Sequence, residues 1–403
     1  MHRPLHARAV VLVSIIGVMG WAYLIVLGMT MAATSPPTAG FDLELLLVGA
    51  RRIAEGQSPY DPSMLQGATV GATSLFYSYP PWVAQALVPL AGLSSTAVLM
   101  GWGALASVAL VGVGVRIARR FGEADLPWAH TALVIAAIAP FVFPYAIGLL
   151  FGNLDTWFPA IYGLLLLGAA PSPDRNARWS LAAAGFALAV ASASKLHPVS
   201  LGLWCLARGL RDRRADARSR AWSVLAIAVL FVVVIVIVSL LVGGTGPWLE
   251  YLTVVRAGAG ADLVDARNGA PAVVVGSLVG LDSGGVRIAQ ALVLLTALAV
   301  TTWTALRRDD PVTSLAIAAA ASFVTLPVTW YHYPAALIPF GIAALARASR
   351  ADIVTRRRTV ICTLGALISA VAAIAFVPLI WVAVALLLIA VHRSAGEQVT
   401  TTS

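Results

Sequence analysis

Residues 221–242 read AWSVLAIAVLFVVVIVIVSLLV, an apolar stretch without a charged side chain. A helix needs about 20 such residues to cross the ~30 Å hydrocarbon core of a bilayer, so this stretch predicts a transmembrane helix. In the whole chain, 60% of the residues are hydrophobic and only 11% are charged, and the mean hydropathy is +0.88. The composition therefore predicts an all-α integral membrane protein.

Short arginine clusters separate the apolar stretches and give the chain its net charge of +9. Because they lie between apolar runs rather than on one face, they indicate membrane topology and no nucleic-acid partner. The positive-inside rule places such clusters in the cytoplasm. We therefore predict a multi-pass plasma-membrane protein with both termini in the cytoplasm. The clusters are Arg3 and Arg8, 116–120, 208–220, Arg307 and Arg308, 347–358, and Arg393.

Two cytoplasmic termini require an even number of spans, and twelve apolar segments of the sequence satisfy this requirement. The sequence thus predicts one polytopic domain, residues 1–403, built as a helix bundle whose first helix is retained. Two other apolar segments, 81–93 and 272–280, are too short to cross and are expected to be re-entrant or interfacial. The predicted spans lie near residues 8–31, 95–117, 129–148, 153–170, 178–193, 196–208, 221–243, 285–306, 311–327, 333–347, 359–376 and 377–392.

Motifs for nucleotide or metal chemistry do not occur in the sequence: it has no glycine-rich phosphate loop, HExxH, GxSxG or cysteine/histidine cluster. Nucleotide hydrolysis and zinc chemistry therefore have no support, and we expect no cofactor. Asp262 and Asp265 lie three residues apart in a loop and are weak candidates for cation ligands, so we also expect no metal site.

On the extracytoplasmic side, this topology leaves a short list of polar segments. They are a first loop at 32–94, a second loop at 244–284, and turns at 152–157, 192–198 and 329–334. Ionisable residues near the membrane are costly and mark functional sites. We therefore expect the site on this face.

Asp42 opens the first loop, in the stretch GFDLELLLVGARRIAEG at 40–56. Its carboxylate is a candidate catalytic base, but aspartate is also a favoured helix N-cap, and the two roles remain open. The helix that follows carries an apolar stripe and is expected to lie along the membrane surface. Glu44 points away from the face of Asp42 and is the weaker candidate.

Lys195 is the only lysine in the chain and stands in the turn SASKLHP, at the outer ends of two predicted spans. Its ammonium is a candidate cation for a lipid phosphate. Alternatively, it extends to the interface, as long basic side chains do near helix ends. His197, in the same turn, would either add a donor or pack at the interface.

Two further outer segments carry candidate residues. His332 lies in TWYHYP, whose aromatic residues would either frame a site or belong to the interfacial aromatic belt. Arg267 and Asn268 lie in VDARNGAP, a loop that contains glycine and proline, where they would meet a phosphate or sugar or would be solvated loop groups.

These features occur in an order that resembles glycosyltransferase family 87. An outer aspartate after the first helix is followed by QSPYDP at 57–62, FYSYPPWVAQALVPLAGL at 76–93, GNLDTW at 152–157 and KLHP at 195–198. The tyrosine and two prolines that lead into an apolar stretch are the most specific of these. The resemblance implies a GT-C-type helix bundle. From the characterised actinobacterial members it also implies an inverting α-1,2-mannosyltransferase that uses polyprenol-phosphate-mannose.

The resemblance also implies roles for individual residues. Asp42 matches the catalytic base, which takes the proton of the acceptor hydroxyl. The implied partners are a polyprenyl-phosphate sugar donor, a glycolipid or lipoglycan acceptor and membrane lipids, and no metal is expected. We predict binding of the donor phosphate or the substrate by Lys195, His197, Arg267, His332, Asn153, Asp155, Tyr79 and Arg52.

Two alternatives remain at this point. The donor sugar would be arabinofuranose instead of mannose, or the chain would be a transporter, since about twelve spans are also a common carrier layout. Against a transporter, the two halves show no internal repeat, and the ionisable residues collect at one face rather than at the midplane.

Overall fold

The computed structural model of the protein describes residues 7–34, 38–65, 77–122, 127–170, 177–211, 215–261 and 267–395. Within these residues the chain is helical, with eighteen α-helices, four short 3₁₀ segments and no β-strand. The helices are α1 (Ala7–Ala32), α2 (Phe41–Ala54), α3 (Pro62–Leu65), α4 (Pro81–Leu87), α5 (Ser95–Phe121), α6 (Trp128–Ile138), α7 (Phe143–Phe151), α8 (Phe158–Ala169), α9 (Ala177–Ser194), α10 (Val199–Arg211), α11 (Ala215–Gly243), α12 (Gly246–Ala261), α13 (Pro271–Val279), α14 (Ser283–Arg307), α15 (Pro311–Ser322), α16 (Ile338–Arg350), α17 (Ile353–Ala372) and α18 (Leu379–Arg393).

Four of these helices, α1, α5, α11 and α14, are long and apolar enough to cross a membrane. Large apolar side chains project from them into the surroundings, for example Val18, Leu241 and Leu295. A soluble protein rarely exposes so much continuous apolar surface, so these faces are suited to lipid. The chain is therefore a helical membrane protein. Every predicted span coincides with a described helix or helix pair, but most are short, and the count of twelve stays a prediction.

One predicted span, 129–148, is not a straight helix. It consists of Trp128–Phe141 and Phe143–Phe151, which meet at an angle of 73°. The physical reason is the pair Pro140 and Pro144, since proline lacks the N–H that a helix interior needs and clashes with the preceding turn. The bend brings the carboxyl end of α7 to the turn at 152–157.

The largest hydrophobic cluster holds the centre of the bundle together. Its buried side chains come from α5, α8, α9, α10, α11, α14, α15, α16 and α18 and from the segments next to them. Trp204 and Phe340, both 1% exposed, are among its largest members. A second cluster packs α2 against α4, the start of α5 and α12.

The two predicted outer loops are largely helical where the structure describes them. The first contains α2, α3 and α4, and the second contains α12 and α13. The short apolar segments predicted at 81–93 and 272–280 are the short helices α4, extended by a 3₁₀ turn at Val88–Leu90, and α13. Asp262 and Asp265 lie outside the described residues, as does Phe76.

Two glycines dock the start of α2 onto the end of α7. Gly40 and Gly152 both have positive φ, 71° and 66°, a conformation that other residues adopt only at a cost. The Gly40 N–H donates to the Leu150 carbonyl at 2.8 Å. A Cβ on Gly152 would lie 2.6 Å from the Cβ of Leu43. Only glycine at 152 therefore allows this approach, which places Asp42 beside the turn at 152–157.

Candidate active site

Asp42 lies in the first turn of α2 and faces the turn at 152–157. The Asn153 amide Nδ2 donates to its Oδ2 at 2.8 Å. The helix is capped by Gly40, which has no side chain to bond the helix, so the N-cap alternative for Asp42 is wrong. The carboxylate is half-buried, and its other oxygen, Oδ1, accepts no hydrogen bond from the described residues. That oxygen is thus available to accept a proton.

Asn153 is oriented by its own hydrogen bonds. Its Oδ1 accepts from the backbone N–H of Asp155 at 2.9 Å, and its backbone carbonyl accepts from the Thr156 hydroxyl at 2.7 Å. Because the amide oxygen is fixed toward Asp155, the amide nitrogen must point at Asp42. The GN pair of the GNLDTW motif therefore positions the candidate base.

Asp155 and Lys195 form a buried ion pair directly beside Asn153. The Lys195 Nζ lies 2.8 Å from Asp155 Oδ2, and the two side chains are 8% and 1% exposed. A buried charge is stable only when it is paired in this way. Lys195 therefore does not extend to the interface, and that alternative is wrong.

His332 joins the same pair from the other side. Its Nε2 lies 3.0 Å from Asp155 Oδ2, and the side chain is 9% exposed. A histidine of the interfacial aromatic belt would be exposed, so the belt alternative is wrong for His332. The segment TWYHYP instead closes the site through the 3₁₀ turn Tyr333–Leu337, which precedes α16.

Two tyrosine rings flank the Lys195 ammonium. Nζ lies 4.8 Å from the ring centroid of Tyr333 and 5.9 Å from that of Tyr79. Burial alone would lower the pKa of Lys195, but the Asp155 carboxylate raises that pKa above its ordinary value. Burial also raises the pKa of Tyr79, although the nearby ammonium opposes this. At neutral pH the lysine is thus charged and the phenol neutral.

His197 lies behind the ion pair in an aromatic cage. Its ring stacks on Tyr333 with centroids 5.3 Å apart, and Phe158 lies at 5.5 Å. Its Nδ1 is 3.4 Å from the Ser322 hydroxyl, while Nε2 has no hydrogen-bond partner among the described residues. The contacts of His197 are thus those of a packing residue, and its role as a hydrogen-bond donor to the substrate stays a prediction.

Three other predicted or considered residues make different contacts. The Arg52 guanidinium donates to the carbonyls of Ser58 and Tyr60 at 2.8 and 3.1 Å, so it holds the loop after α2. Arg267 is exposed, with its guanidinium 5.9 Å from the Trp330 ring centroid. Glu44 bonds to Arg51 and to Ser95, away from Asp42, as predicted.

Asn268 is a structural residue rather than a solvated loop group. It is 2% exposed, and its Nδ2 donates to the Pro327 carbonyl at 3.0 Å. Its Oδ1 accepts from the backbone N–H of Thr329 at 3.0 Å. Asn268 therefore ties the loop before α13 to the segment that carries His332.

The structure brings six predicted residues together and adds one that was missed. Tyr333 contacts both Lys195 and His197 but was considered only as part of an aromatic belt. Its place next to His332 was the signal that it belongs to the site. The predicted residues that meet are Asp42, Asn153, Asp155, Lys195, His332 and His197, with Tyr79 at their edge.

This arrangement has the parts of a displacement reaction at a charged leaving group. An accessible carboxylate is available as a base. A buried cation lies close to it, where positive charge would stabilise an oxyanion that departs. Between them, Asn153 contacts both groups, with its Nδ2 on Asp42 and its Oδ1 3.4 Å from Lys195 Nζ.

Comparison with known families gives a match over most of the chain. The sequence model described as glycosyltransferase family 87 matches residues 77–330. The matched stretch begins in the YPP segment and includes Asn153, Asp155 and Lys195, whereas Asp42 and His332 lie outside it. The chain matches no curated protein.

Proposed function

Because the chain belongs to glycosyltransferase family 87, we propose that this membrane glycosyltransferase moves mannose from polyprenyl-phosphate mannose to a glycolipid or lipoglycan acceptor, with inversion and formation of an α-1,2-mannoside. Asp42 is the base of this reaction. One observation carries the proposal: the half-buried Asp42 carboxylate is held by Asn153 next to the buried pair of Lys195 and Asp155.

The reaction is a single displacement. The acceptor hydroxyl oxygen attacks the anomeric carbon while its proton passes to a carboxylate oxygen of Asp42. A new carbon–oxygen bond forms as the bond from the anomeric carbon to the phosphate oxygen breaks, and its electron pair leaves with the polyprenyl phosphate. Attack from the opposite face turns a β-linked donor into an α-mannoside.

Lys195 supplies the positive charge for the departing phosphate. Its ammonium is held by Asp155 and Asn153 and carries a raised pKa, so it is charged before the donor arrives. A fixed charge in a poorly hydrated site stabilises developing negative charge more than a mobile surface lysine would. In this proposal Asp155 and His332 hold Lys195 in place rather than contact the sugar, and Tyr79 borders the donor.

The membrane placement in this proposal follows from the arginine clusters. They occupy the ends of helices such as α5 and α16, whereas Asp42, Asp155 and Lys195 lie at the other ends. Positive residues favour the cytoplasmic side. The site is then extracytoplasmic, in a plasma-membrane protein of about twelve spans with cytoplasmic termini.

Of the two earlier alternatives, family membership favours glycosyl transfer over transport. Arabinofuranose from its own polyprenyl phosphate remains the competing donor. Transport and arabinofuranose transfer would each give a distinct result in the assay that tests the proposal.

The test is a transfer assay with the full chain in proteoliposomes. Labelled polyprenyl-phosphate mannose and polyprenyl-phosphate arabinofuranose are supplied separately with a mannoside acceptor, and the product linkage is determined. We expect an α-1,2-linked mannoside and no arabinoside. Transfer of arabinofuranose only, or label that crosses the membrane without forming a glycosidic bond, would contradict the proposal.

A further inference from the structure

Two tyrosine hydroxyls fix the backbone that carries Tyr79. The Tyr60 hydroxyl donates to the Tyr79 carbonyl at 2.8 Å. The Tyr77 hydroxyl donates to the Pro80 carbonyl and accepts from the Ala84 N–H at 2.9 Å. The three rings pack in a row, with centroids 5.5 Å apart between Tyr60 and Tyr77 and 6.0 Å apart between Tyr77 and Tyr79. The main chain is thus held on both sides of Tyr79, and the direction of its side chain is set without a substrate.

The hydroxyl of Tyr79 itself makes no hydrogen bond to a described residue, and the side chain is half-buried. Its ring centroid lies 5.9 Å from Lys195 Nζ. Burial raises the pKa of Tyr79, and the Lys195 ammonium opposes this. The Asp42 and Asp155 carboxylates raise that pKa further. The phenol is therefore near both the candidate base and the candidate cation, and it keeps its proton at neutral pH.

Two neighbouring donors of the site are already engaged by the site's own residues. Asn153 Nδ2 donates to Asp42. Lys195 Nζ donates to Asp155 and to Asn153, which leaves one of its three N–H groups. A phosphate has three strong acceptor oxygens, more than this one N–H can satisfy. The site therefore needs a further donor at the phosphate, and Tyr79 has an O–H that is not engaged.

We propose that the Tyr79 hydroxyl donates a hydrogen bond to the phosphate of the lipid-linked donor, beside the Lys195 ammonium. This inference rests on the proposed function, because its ligand is the phosphate that the transfer reaction releases. The bond strengthens as the phosphate leaves, since a donor aimed at developing negative charge acts as an oxyanion hole does.

The proton stays on Tyr79 throughout. A phenol with an ordinary pKa of about 10 is a far weaker acid than a phosphate monoester, whose second pKa is about 6. Burial raises the pKa of Tyr79 further. Tyr79 therefore contributes a hydrogen bond and no proton transfer, and the only proton that moves in the reaction goes to Asp42.

The test compares how tightly the full chain, in detergent, binds a polyprenyl phosphate and the matching polyprenol, which lacks the phosphate. Tyr79→Phe removes only a hydroxyl. Tyr251→Phe is the matched control, because it makes the same change in a ring of α12 that stacks on Tyr60. A hydrogen bond to a charged group corresponds to about 10- to 10²-fold in affinity. We expect Tyr79→Phe to lose that factor from the preference for polyprenyl phosphate over polyprenol, and the control to keep the preference.

The rate of sugar transfer gives a second readout. With saturating donor, kcat of Tyr79→Phe is expected to fall by about the same factor or more, because the bond is stronger in the transition state than in the bound donor. The melting temperature should match that of Tyr251→Phe, since the Tyr79 hydroxyl bonds to no described residue. An unchanged phosphate preference in Tyr79→Phe, or an equal loss of affinity for both lipids, would overturn the proposal.

The two readouts also separate this proposal from the proposed function. If wild type prefers polyprenyl phosphate and Tyr79→Phe loses the preference, but the sugar transferred is not mannose, the contact of Tyr79 is confirmed and the proposed sugar is wrong. If wild type transfers mannose and Tyr79→Phe keeps the full preference, the inference about Tyr79 fails alone. No preference for polyprenyl phosphate in wild type would overturn both.

Discussion

Lys195 and Asp155 depend on each other for their burial. The ammonium and the carboxylate are 2.8 Å apart and nearly inaccessible to solvent. Removing one partner of such a pair leaves an uncompensated buried charge, which costs more than the pair itself contributes. His332 at 3.0 Å cannot replace the lysine fully, because it contacts the same oxygen of Asp155.

The first prediction is a double-mutant cycle on this pair. Lys195→Met is expected to lower the free energy of unfolding by about 3–5 kcal/mol, because Asp155 is left buried and unpaired. Lys195→Met/Asp155→Asn should recover much of that loss, since both charges are then gone. Denaturant unfolding in detergent measures both. Additive effects of the two substitutions would show that the pair is not coupled.

At the scale of elements, the contact between α2 and the end of α7 determines the site. The helix α2 was predictable from its apolar stripe, but the stripe was expected to face the membrane surface, whereas Leu43, Leu46 and Leu47 are fully buried against α4, α5 and α12. Its partner was not predictable, because nothing in the sequence shows that Gly40 and Gly152 permit two backbones to approach. Asp42 and Asn153 are 111 residues apart in the chain.

The second prediction concerns Gly152, which carries no functional group. Gly152→Ala is expected to destabilise the protein and to reduce transfer. Its Cβ would lie 2.6 Å from Leu43 and displace α2. Gly56 is the matched control: its φ is 75°, but a Cβ there meets nothing within 4 Å. In each variant, alanine at a positive φ lowers the free energy of unfolding by about 1–2 kcal/mol. In Gly152→Ala the clash lowers it by a further ~1–3 kcal/mol.

Measuring the melting temperature together with the rate of mannosyl transfer separates the effect of the positive φ from the effect of the clash. Gly56→Ala should lower the melting temperature modestly and leave transfer intact. If both variants lose transfer equally, the close approach at Gly152 is not what positions Asp42.

At the scale of the molecule, apolar runs and arginine clusters predicted the helices and the face on which the polar turns meet. They did not predict which polar residues pair. Lys195, Asp155 and His332 belong to three distant turns, and only the packing of α8, α9 and α16 brings them together. The bend between α6 and α7 was also missed, although Pro140 and Pro144 were visible in the sequence.

The third prediction concerns the pH dependence of stability at the arginine end. Burial raises the pKa of Asp310, but its bonds to Arg347 and Thr313 outweigh this and lower it to about 2. Because the pKa is lower in the folded state than in the unfolded state, where it is about 3.9, the ionised carboxylate stabilises the folded protein at pH values above that unfolded-state pKa. This contribution is lost as the pH falls toward 2.

Asp310→Asn is therefore expected to cost about 2 kcal/mol at neutral pH. The difference from wild type should shrink between about pH 4 and pH 2, as the wild-type carboxylate becomes protonated. Unfolding midpoints measured across this range check the prediction. A difference that stays constant with pH would mean that the ionised carboxylate is not the stabilising group.

We propose that Asp42 accepts the proton of the acceptor hydroxyl, and a comparison of initial rates in two variants distinguishes this role from a structural one. Asp42→Asn keeps the shape of the side chain and an oxygen for the Asn153 amide but removes the base, whereas Glu44→Gln makes the same chemical change two residues away. Mannosyl transfer from polyprenyl-phosphate mannose should fall about 10²- to 10⁴-fold in Asp42→Asn and stay near the wild-type rate in Glu44→Gln. A folded Asp42→Asn variant that transfers mannose at the wild-type rate would contradict the account.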